Sequence, residues 1–248
     1  MYTDSLFNRG YIHVPHEQIS GHAAEMFADS TGKVGVAVVT SGPGIMNLAT
    51  ACYDAMMDSV PVLYIAGDVS QNVSGSMAFQ EAPVRRVFDP ISKKVYYITS
   101  AQDIPSILLE AYRLTKSGRP GPVIVDIPKD VLLQRTKFDI GTDLETKIED
   151  TSFDVEALTR LSEQIRSAKR PMLYVGGGVK SAEAWNELRE LVDRTGIPVT
   201  YTLKGKGVFP DTHQLSLGPL GMHGSGAANY AVDAADLLLA IGARFDDR

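Results

Sequence analysis

A single cysteine, Cys52, is the whole thiol content of the 248 residues, which excludes a disulfide framework and any thiolate metal cluster. It makes a reducing compartment, the cytoplasm, the expected setting. No apolar run approaches the roughly 20 residues that a membrane-spanning helix needs, so no membrane partner is expected. The opening MYTDSLFNRGYIHVPHEQ has no basic start followed by an apolar stretch, the pattern of a secretory signal. Positive charge is neither abundant nor clustered: 24 Lys and Arg against 30 Asp and Glu leave a formal net charge of -6. That balance argues against nucleic acid and for a small-molecule partner. What remains is globular in composition, 44% hydrophobic and 22% charged, with a mean hydropathy of -0.05. The length suggests two domains.

Apolar runs bounded by Gly and Pro alternate with segments of helical period, the pattern of βα units on a parallel sheet. Strands are expected at 10–14, 34–40, 61–66, 123–127, 172–175, 198–201 and 237–241, and helices at 18–29, 45–57, 104–115, 155–168, 183–195 and 227–234. Several strands are near-continuous Val, Ile and Leu, as when both faces are covered. In the fourth helix Val155, Leu158, Leu161 and Ile165 fall at spacings of three and four, one face of a helix. Residues 135–152 are mostly polar and without long period, so they are expected to link two α/β units at 1–134 and 153–248.

Seven segments are candidates for chemistry. Glu17, in His16-Glu17-Gln18, stands where an extended segment enters a helix; a desolvated carboxylate there would suit proton traffic, and a plain helix-start acid reads the same way. Thr40-Ser41-Gly42-Pro43-Gly44 follows a Val-rich strand and precedes the helix carrying Asn47, giving either a ligand-facing turn or a tight βα turn. It is not a P-loop, because no Gly-Lys-Ser/Thr follows. Phe79, Gln80 and Glu81 lie in a Gly/Ser-rich loop after the next strand, where sites are built, although Phe79 suits a core equally well. Gly176, Gly177 and Gly178 form a turn that can carry a pyrophosphate without completing GxGxxG. Finally Thr202 and Leu203, Met222 and His223, and Gly242, Ala243, Arg244, Asp246 and Arg248 follow predicted strands and are expected to share one rim, suited to an anionic cofactor. His13, His16 and His22 match no zinc spacing, and no protein-bound metal is assigned to them.

Taken together these segments resemble the large, catalytic subunit of the acetolactate synthase (acetohydroxyacid synthase) family, thiamine-diphosphate enzymes that also bind FAD. The resemblance runs through HEQ at 16–18, TGKVGV at 31–36, TSGPG at 40–44, AFQE at 78–81, SGRPGPVIVDIPKDV at 117–131, TGIPVT at 195–200, LGMHG at 220–224 and GARFDDR at 242–248. It implies a pyrimidine-binding α/β domain followed by a central FAD-type α/β domain, each a three-layer unit on a parallel sheet. By the same resemblance Glu17 would hold the proton at N1′ of the cofactor pyrimidine, the contact that favours its imino tautomer. Gln80 and Phe79 would stand beside the reacting centre, Lys129 near the substrate channel, and Pro43, Gly44 and Asn47 in the cofactor loop. Arg119, Gly176 to Gly178, Thr202, Leu203, Met222, His223, Gly242 to Arg244, Asp246 and Arg248 would contact FAD, which in this family looks structural. The implied reaction joins two pyruvates, or pyruvate and 2-oxobutyrate, with loss of CO₂, the first common step of branched-chain amino-acid synthesis. A homodimer or homotetramer and a small regulatory subunit are implied partners.

The sequence departs from the family at Ile19-Ser20 before Gly21, and at Gly67-Asp68-Val69-Ser70, where many members carry Gly-Gln-Val-Pro. No Gly-Asp-Gly with adjacent asparagines some thirty residues on, the family's Mg²⁺ and diphosphate motif, is present. The chain is therefore expected to be a piece of a longer polypeptide, inactive alone, with Mg²⁺ held by a later domain. Two rival readings stay open: a related carboligase or decarboxylase acting on another 2-oxo acid, and a nucleotide-binding module without catalysis.

Overall fold

The structure, a computed structural model, describes residues 10–137 and 154–245. The chain divides into two compact units, Met1–Ile148 and Glu149–Arg248. The expected linker at 135–152 lies almost wholly outside the described residues, as do Asp246 and Arg248.

In the first unit the order is α1 (Glu17–Thr31), β1 (Gly35–Val39), α2 (Pro43–Met46), α3 (Ala49–Asp58), β2 (Val62–Asp68), α4 (Val84–Phe88), β3 (Lys94–Tyr97), α5 (Ile104–Lys116), β4 (Val123–Pro128) and α6 (Lys129–Leu132). The strands form one parallel sheet in the order β1-β2-β4-β3. Alternate residues of the inner strands feed two cores. Val62, Tyr64, Ala66 and Ile124 pack with Ala24, Ala28, Leu48, Cys52 and Phe88 on one face. Leu63, Val123, Val125 and Ile127 pack with Ile104, Leu108 and Ala111 on the other. Helices on both faces make this a three-layer unit.

Local chemistry sets the helix limits. His16 caps α1, its Nδ1 accepting from Gln18 N at 3.2 Å, and Glu17 places an acid in the first turn. Gly32 ends the helix at φ 69°, returning its N–H to Ala28 O. Pro105 opens α5, and Arg113 and Lys116 stand in its last turn.

The second unit runs α7 (Val155–Ser167), β5 (Pro171–Val175), α8 (Gly177–Ser181), α9 (Trp185–Thr195), β6 (Val199–Tyr201), β7 (Ser216–Pro219), α10 (Gly226–Ala234) and β8 (Leu237–Ile241). Its sheet is also parallel, ordered β7-β6-β5-β8. Leu173, Val175, Val199 and Tyr201 meet Val179, Leu188 and Val192 in its core.

Several expectations need correction. The segment 10–14 forms no strand: Ile12 is 89% exposed, β1 pairs only with β2 among the described residues, and Pro15 offers no N–H to a ladder. The helix expected over 45–57 is two, because Asn47 and Leu48 interrupt it, with Asn47 closing α2. β3 and β7 went unpredicted. Each is a four-residue edge strand, β3 opening on an exposed Lys94 and β7 carrying Gly and Pro, so neither presents a long apolar run. Gly177 and Gly178 belong to a short helix, and α9 starts two residues later than expected.

Candidate functional site

In the first unit the functional candidates gather at the carboxyl edge of the sheet, where parallel α/β sheets place their ligands. Glu17 stands at the start of α1, half-buried, and its Oε2 accepts from Asn47 Nδ2 at 2.9 Å. That amide is the foremost cause holding the Glu17 carboxyl below its ordinary value; the nearby His16 acts in the same direction and modest desolvation opposes it. The group is therefore an ionised acceptor at neutral pH.

Glycine lets the loop after β1 come this close. A Cβ on Gly44 would lie 2.7 Å from Thr40 Cγ2 and 3.5 Å from Glu17 Oε1. At Gly42, with φ 61°, a Cβ would meet Gln80 O at 2.7 Å and Gln80 Cα at 2.8 Å. The TSGPG loop thus lies directly on the AFQE loop. Pro43 opens α2 and is exposed.

The AFQE loop is clamped by Glu81, whose carboxylate accepts from the backbone N–H of Ala78 at 2.9 Å and from that of Gly75. These bonds lower the Glu81 carboxyl from its usual value. Met77 and Gln80 sit at φ 59° and 62°, and Phe79 is 89% exposed. Phe79 is thereby displayed and not a core anchor.

Lys129 opens α6 directly after β4, on the same edge, and is exposed. Asp130 beside it accepts from Gln71 N and Gln71 Nε2, both at 2.9 Å, tying the loop after β2 to the end of β4. Beneath them Asp126 is 2% exposed, its Oδ1 without a hydrogen-bond partner among the described residues. Burial, and then the Asp68 charge, push its carboxyl up to about 8. Asp68 is itself raised, chiefly by burial. Sequence reasoning quoted both residues without assigning either to the site; one acid inside the apolar VIVDIP run was the signal available.

An open cavity of about 330 Å³ has Glu17 in its wall, together with Tyr11, Ile12, His13, Ser20 and Val38. Its volume matches the lower end of small-ligand sites. The rim thus offers a half-buried carboxylate with one oxygen held, and glycines in the neighbouring loop that permit close backbone approach.

Arg119 falls elsewhere. It precedes β4, so it sits at the opposite end of that strand from Lys129, and its guanidinium is engaged at the end of α3. Nη2 donates to Met56 O at 2.6 Å and Met57 O at 3.1 Å, and Nε to Ser59 Oγ at 2.8 Å.

In the second unit the loops after β5, β6 and β8 meet through their glycines. Gly178 N donates to Gly242 O at 2.9 Å, and a Cβ on Gly178 would stand 2.6 Å from Gly242 Cα. A Cβ on Gly176 would lie 2.5 Å from Ala243 Cα, and one on Gly177 3.1 Å from Lys204 Cβ. Thr202 N donates to Val175 O, and its hydroxyl accepts from Gly205 N at 3.0 Å. Met222 and His223 follow β7 in an exposed loop braced by Asn229, whose Oδ1 accepts from Gly221 N at 3.0 Å. Leu203, Arg244 and Met222 are all exposed at this rim. Asp246 and Arg248, expected beside them, lie outside the described residues.

Comparison with known proteins gives concordant likenesses for both units. Residues 3–87 match the model of the thiamine pyrophosphate enzyme N-terminal TPP binding domain, and residues 158–248 that of the thiamine pyrophosphate enzyme central domain. The chain is 48% identical over 240 residues to an acetolactate synthase of Mycobacterium leprae, covering 96% of this chain and 38% of that protein. It is 46% identical over 242 residues to the acetolactate synthase large subunit of Corynebacterium glutamicum, covering 96% and 38%. With the chloroplastic acetolactate synthase 1 of Zea mays it shares 48% over 239 residues, covering 94% and 37%. A solved structure of a thiamin diphosphate-dependent enzyme from Mycobacterium smegmatis superposes with a TM-score of 0.78 at 27% identity, over 94% of this chain and 45% of that one. The chain thus spans less than two-fifths of the length of these acetolactate synthases. No helix among the described residues is long and apolar enough to cross a membrane.

Proposed function

This chain belongs to the thiamine pyrophosphate enzymes, and from that membership we propose that it supplies the pyrimidine-side half of the cofactor site and the flavin-binding surface of an acetolactate synthase catalytic subunit. The proposed reaction condenses two pyruvates, or pyruvate and 2-oxobutyrate, with loss of CO₂ to acetohydroxyacids. Bound thiamine diphosphate supplies the electron sink for that decarboxylation. The protein supplies position and charge. Glu17, ionised and held by Asn47 at 2.9 Å, is the observation that carries the reading: a carboxylate so placed retains a proton at the pyrimidine N1′. Gly42 and Gly44 allow backbone approach, Phe79 and Gln80 border the reacting centre, and the Lys129 ammonium offers a partner for the substrate carboxylate.

Flavin is assigned to the glycine-lined rim of the second unit, with Thr202, Leu203, Met222, His223 and Arg244 around it. The Mg²⁺ and diphosphate contacts are assigned to another part of the whole protein. Assembly as a homodimer or homotetramer, a small regulatory subunit and a cytoplasmic setting complete the proposal. A second reading, another 2-oxo acid as substrate, is favoured by Asp68, whose half-buried carboxyl at the end of β2 stands where many family members carry glutamine.

The test is product analysis on the whole enzyme containing this chain. Acetolactate is expected from pyruvate, and Glu17→Gln should lower turnover by roughly 10²- to 10⁴-fold. Unchanged turnover in that variant would remove Glu17 from the reaction; a product only with glyoxylate or an aryl 2-oxo acid would select the second reading.

A further inference from the structure

On the α1 and α3 side of the first sheet the two helices touch as closely as backbones allow: a Cβ on Gly21 would lie 2.6 Å from Ala51 Cβ. One turn along from that contact, His22 and Glu25 of α1 face Asp54 of α3. His22 Nδ1 is 3.1 Å from Glu25 Oε2 and 3.7 Å from Asp54 Oδ2. One ligand atom from each of the three lies within 4.8 Å of the others. Two ligand atoms bound at about 2.1 Å to a tetrahedral ion stand about 3.4 Å apart, so the observed separations bracket what a metal requires.

As a purely protein-internal arrangement the cluster does not balance. Nδ1 can give a proton to one carboxylate, not to two. Glu25 is only 5% exposed, and burying an ionised carboxylate without full compensation is costly. Asp54 and Asp58 add negative charge around it.

A second feature points into the same pit. Tyr64 lies against Gly21 of α1, fully buried, and its hydroxyl has no hydrogen-bond partner among the described residues. Burial first, and then Cys52, Glu25 and Asp54, disfavour its ionisation, so the two carboxyl groups lie within electrostatic reach of it. A cation at the cluster would neutralise the carboxylates, and a water in its coordination shell would give the Tyr64 hydroxyl the partner that a buried polar group needs. His22 and Asp54 are open to solvent at the rim, which provides entry.

We propose that His22, Glu25 and Asp54 form a binding site for a first-row divalent cation of the Zn²⁺ class, with the Tyr64 hydroxyl at its floor. One imidazole and two carboxylates are the donor set such ions take, and a His and a Glu three residues apart on one helix facing a carboxylate on the next is how helix pairs build metal sites. The site uses none of the residues assigned to the cofactor, and it does not depend on the reading of function above.

The test titrates the 248-residue chain with Co²⁺, read by visible absorption, and with Zn²⁺, read by calorimetry and by the thermal midpoint. One saturable equivalent is expected, with a midpoint raised by Zn²⁺. His22→Gln and Asp54→Asn, both at the exposed rim, should each weaken binding at least about tenfold and abolish the thermal shift. His213→Gln, at a histidine paired instead with Asp193, should bind as the parent does. If Glu25→Gln does not fold, the two rim variants carry the test. Absence of a saturable equivalent, or rim variants that bind like the parent, would overturn the proposal and leave His22 an ion-pair partner only.

Discussion

The side-chain amide of Asn47 donates to Oε2 of Glu17 at 2.9 Å, joining the start of α1 to the residue that closes α2, thirty residues on in sequence. Because this bond lowers the Glu17 carboxyl below its ordinary 4.5, the stability it contributes is complete above that pH and is lost as pH falls through the lower folded value. Asn47→Leu should move the Glu17 midpoint upward, read by carbon NMR of the side-chain carboxyl. A midpoint unchanged from the parent would mean that the amide does not govern this charge.

Asp126 has the opposite sign. Its carboxyl is raised to about 8 from an ordinary 3.8, so the fold holds the neutral acid. The stability it contributes is complete below 3.8 and declines as pH rises from there to about 8. Asp126→Asn, neutral and of the same shape, should remove that decline. Thermal midpoints of parent and variant should diverge between about pH 5 and about pH 8, the parent losing more; parallel curves would count against a neutral buried acid.

Gly42 combines a φ of 61° with a Cβ position 2.7 Å from Gln80 O. Gly42→Ala should cost about 1–3 kcal/mol and push the AFQE loop off the rim. The expected readouts are a lower unfolding midpoint and faster proteolysis within 71–81. Cleavage at the parental rate would show that the two loops do not lean on one another.

Arg119 binds the last carbonyls of α3, where a cation also favours the helix dipole. Arg119→Ala should therefore lower the thermal midpoint by an amount corresponding to about 1 kcal/mol. An unchanged midpoint would mean that these bonds do not hold the end of α3.

Much of the architecture was legible along the chain. Val123 to Ile127 announces itself because a strand buried on both faces demands a continuous apolar run, and Leu237 to Ile241 is as apolar although it lies partly exposed at the sheet edge; both appear as strands within a residue of expectation. β3 and β7 escaped because an edge strand takes its hydrogen bonds from one neighbour and its residues need not be apolar on both faces, so Lys94 or Gly218 is tolerated there. The strand expected at 10–14 failed for the converse reason: a run bounded by Gly and Pro must also find a partner, and among the described residues no strand pairs with it.

The candidate site divides in the same way. Gly42, Gly44, Gly176 and Gly178 could be picked out in sequence because a residue without a Cβ at a strand-to-helix turn signals close approach. What approaches could not be: that Gly42 lies on Gln80, and Gly178 on Gly242, follows from strand order. The three histidines near the N-terminus match no metal spacing; the turn of α1 puts His22 beside Glu25, and only the crossing of α1 with α3 brings Asp54 to them.

Sequence alone determined the class of fold, the identity of the chemical groups and their places at strand ends, since periodicity, turn residues and motif spacing are properties of neighbours along the chain. Tertiary structure decided which groups meet and in what charge state. Asn47 beside Glu17, Asp68 beside Asp126 and Asp54 beside His22 are contacts between separate elements, and burial and charge act over distances in space that residue order does not encode.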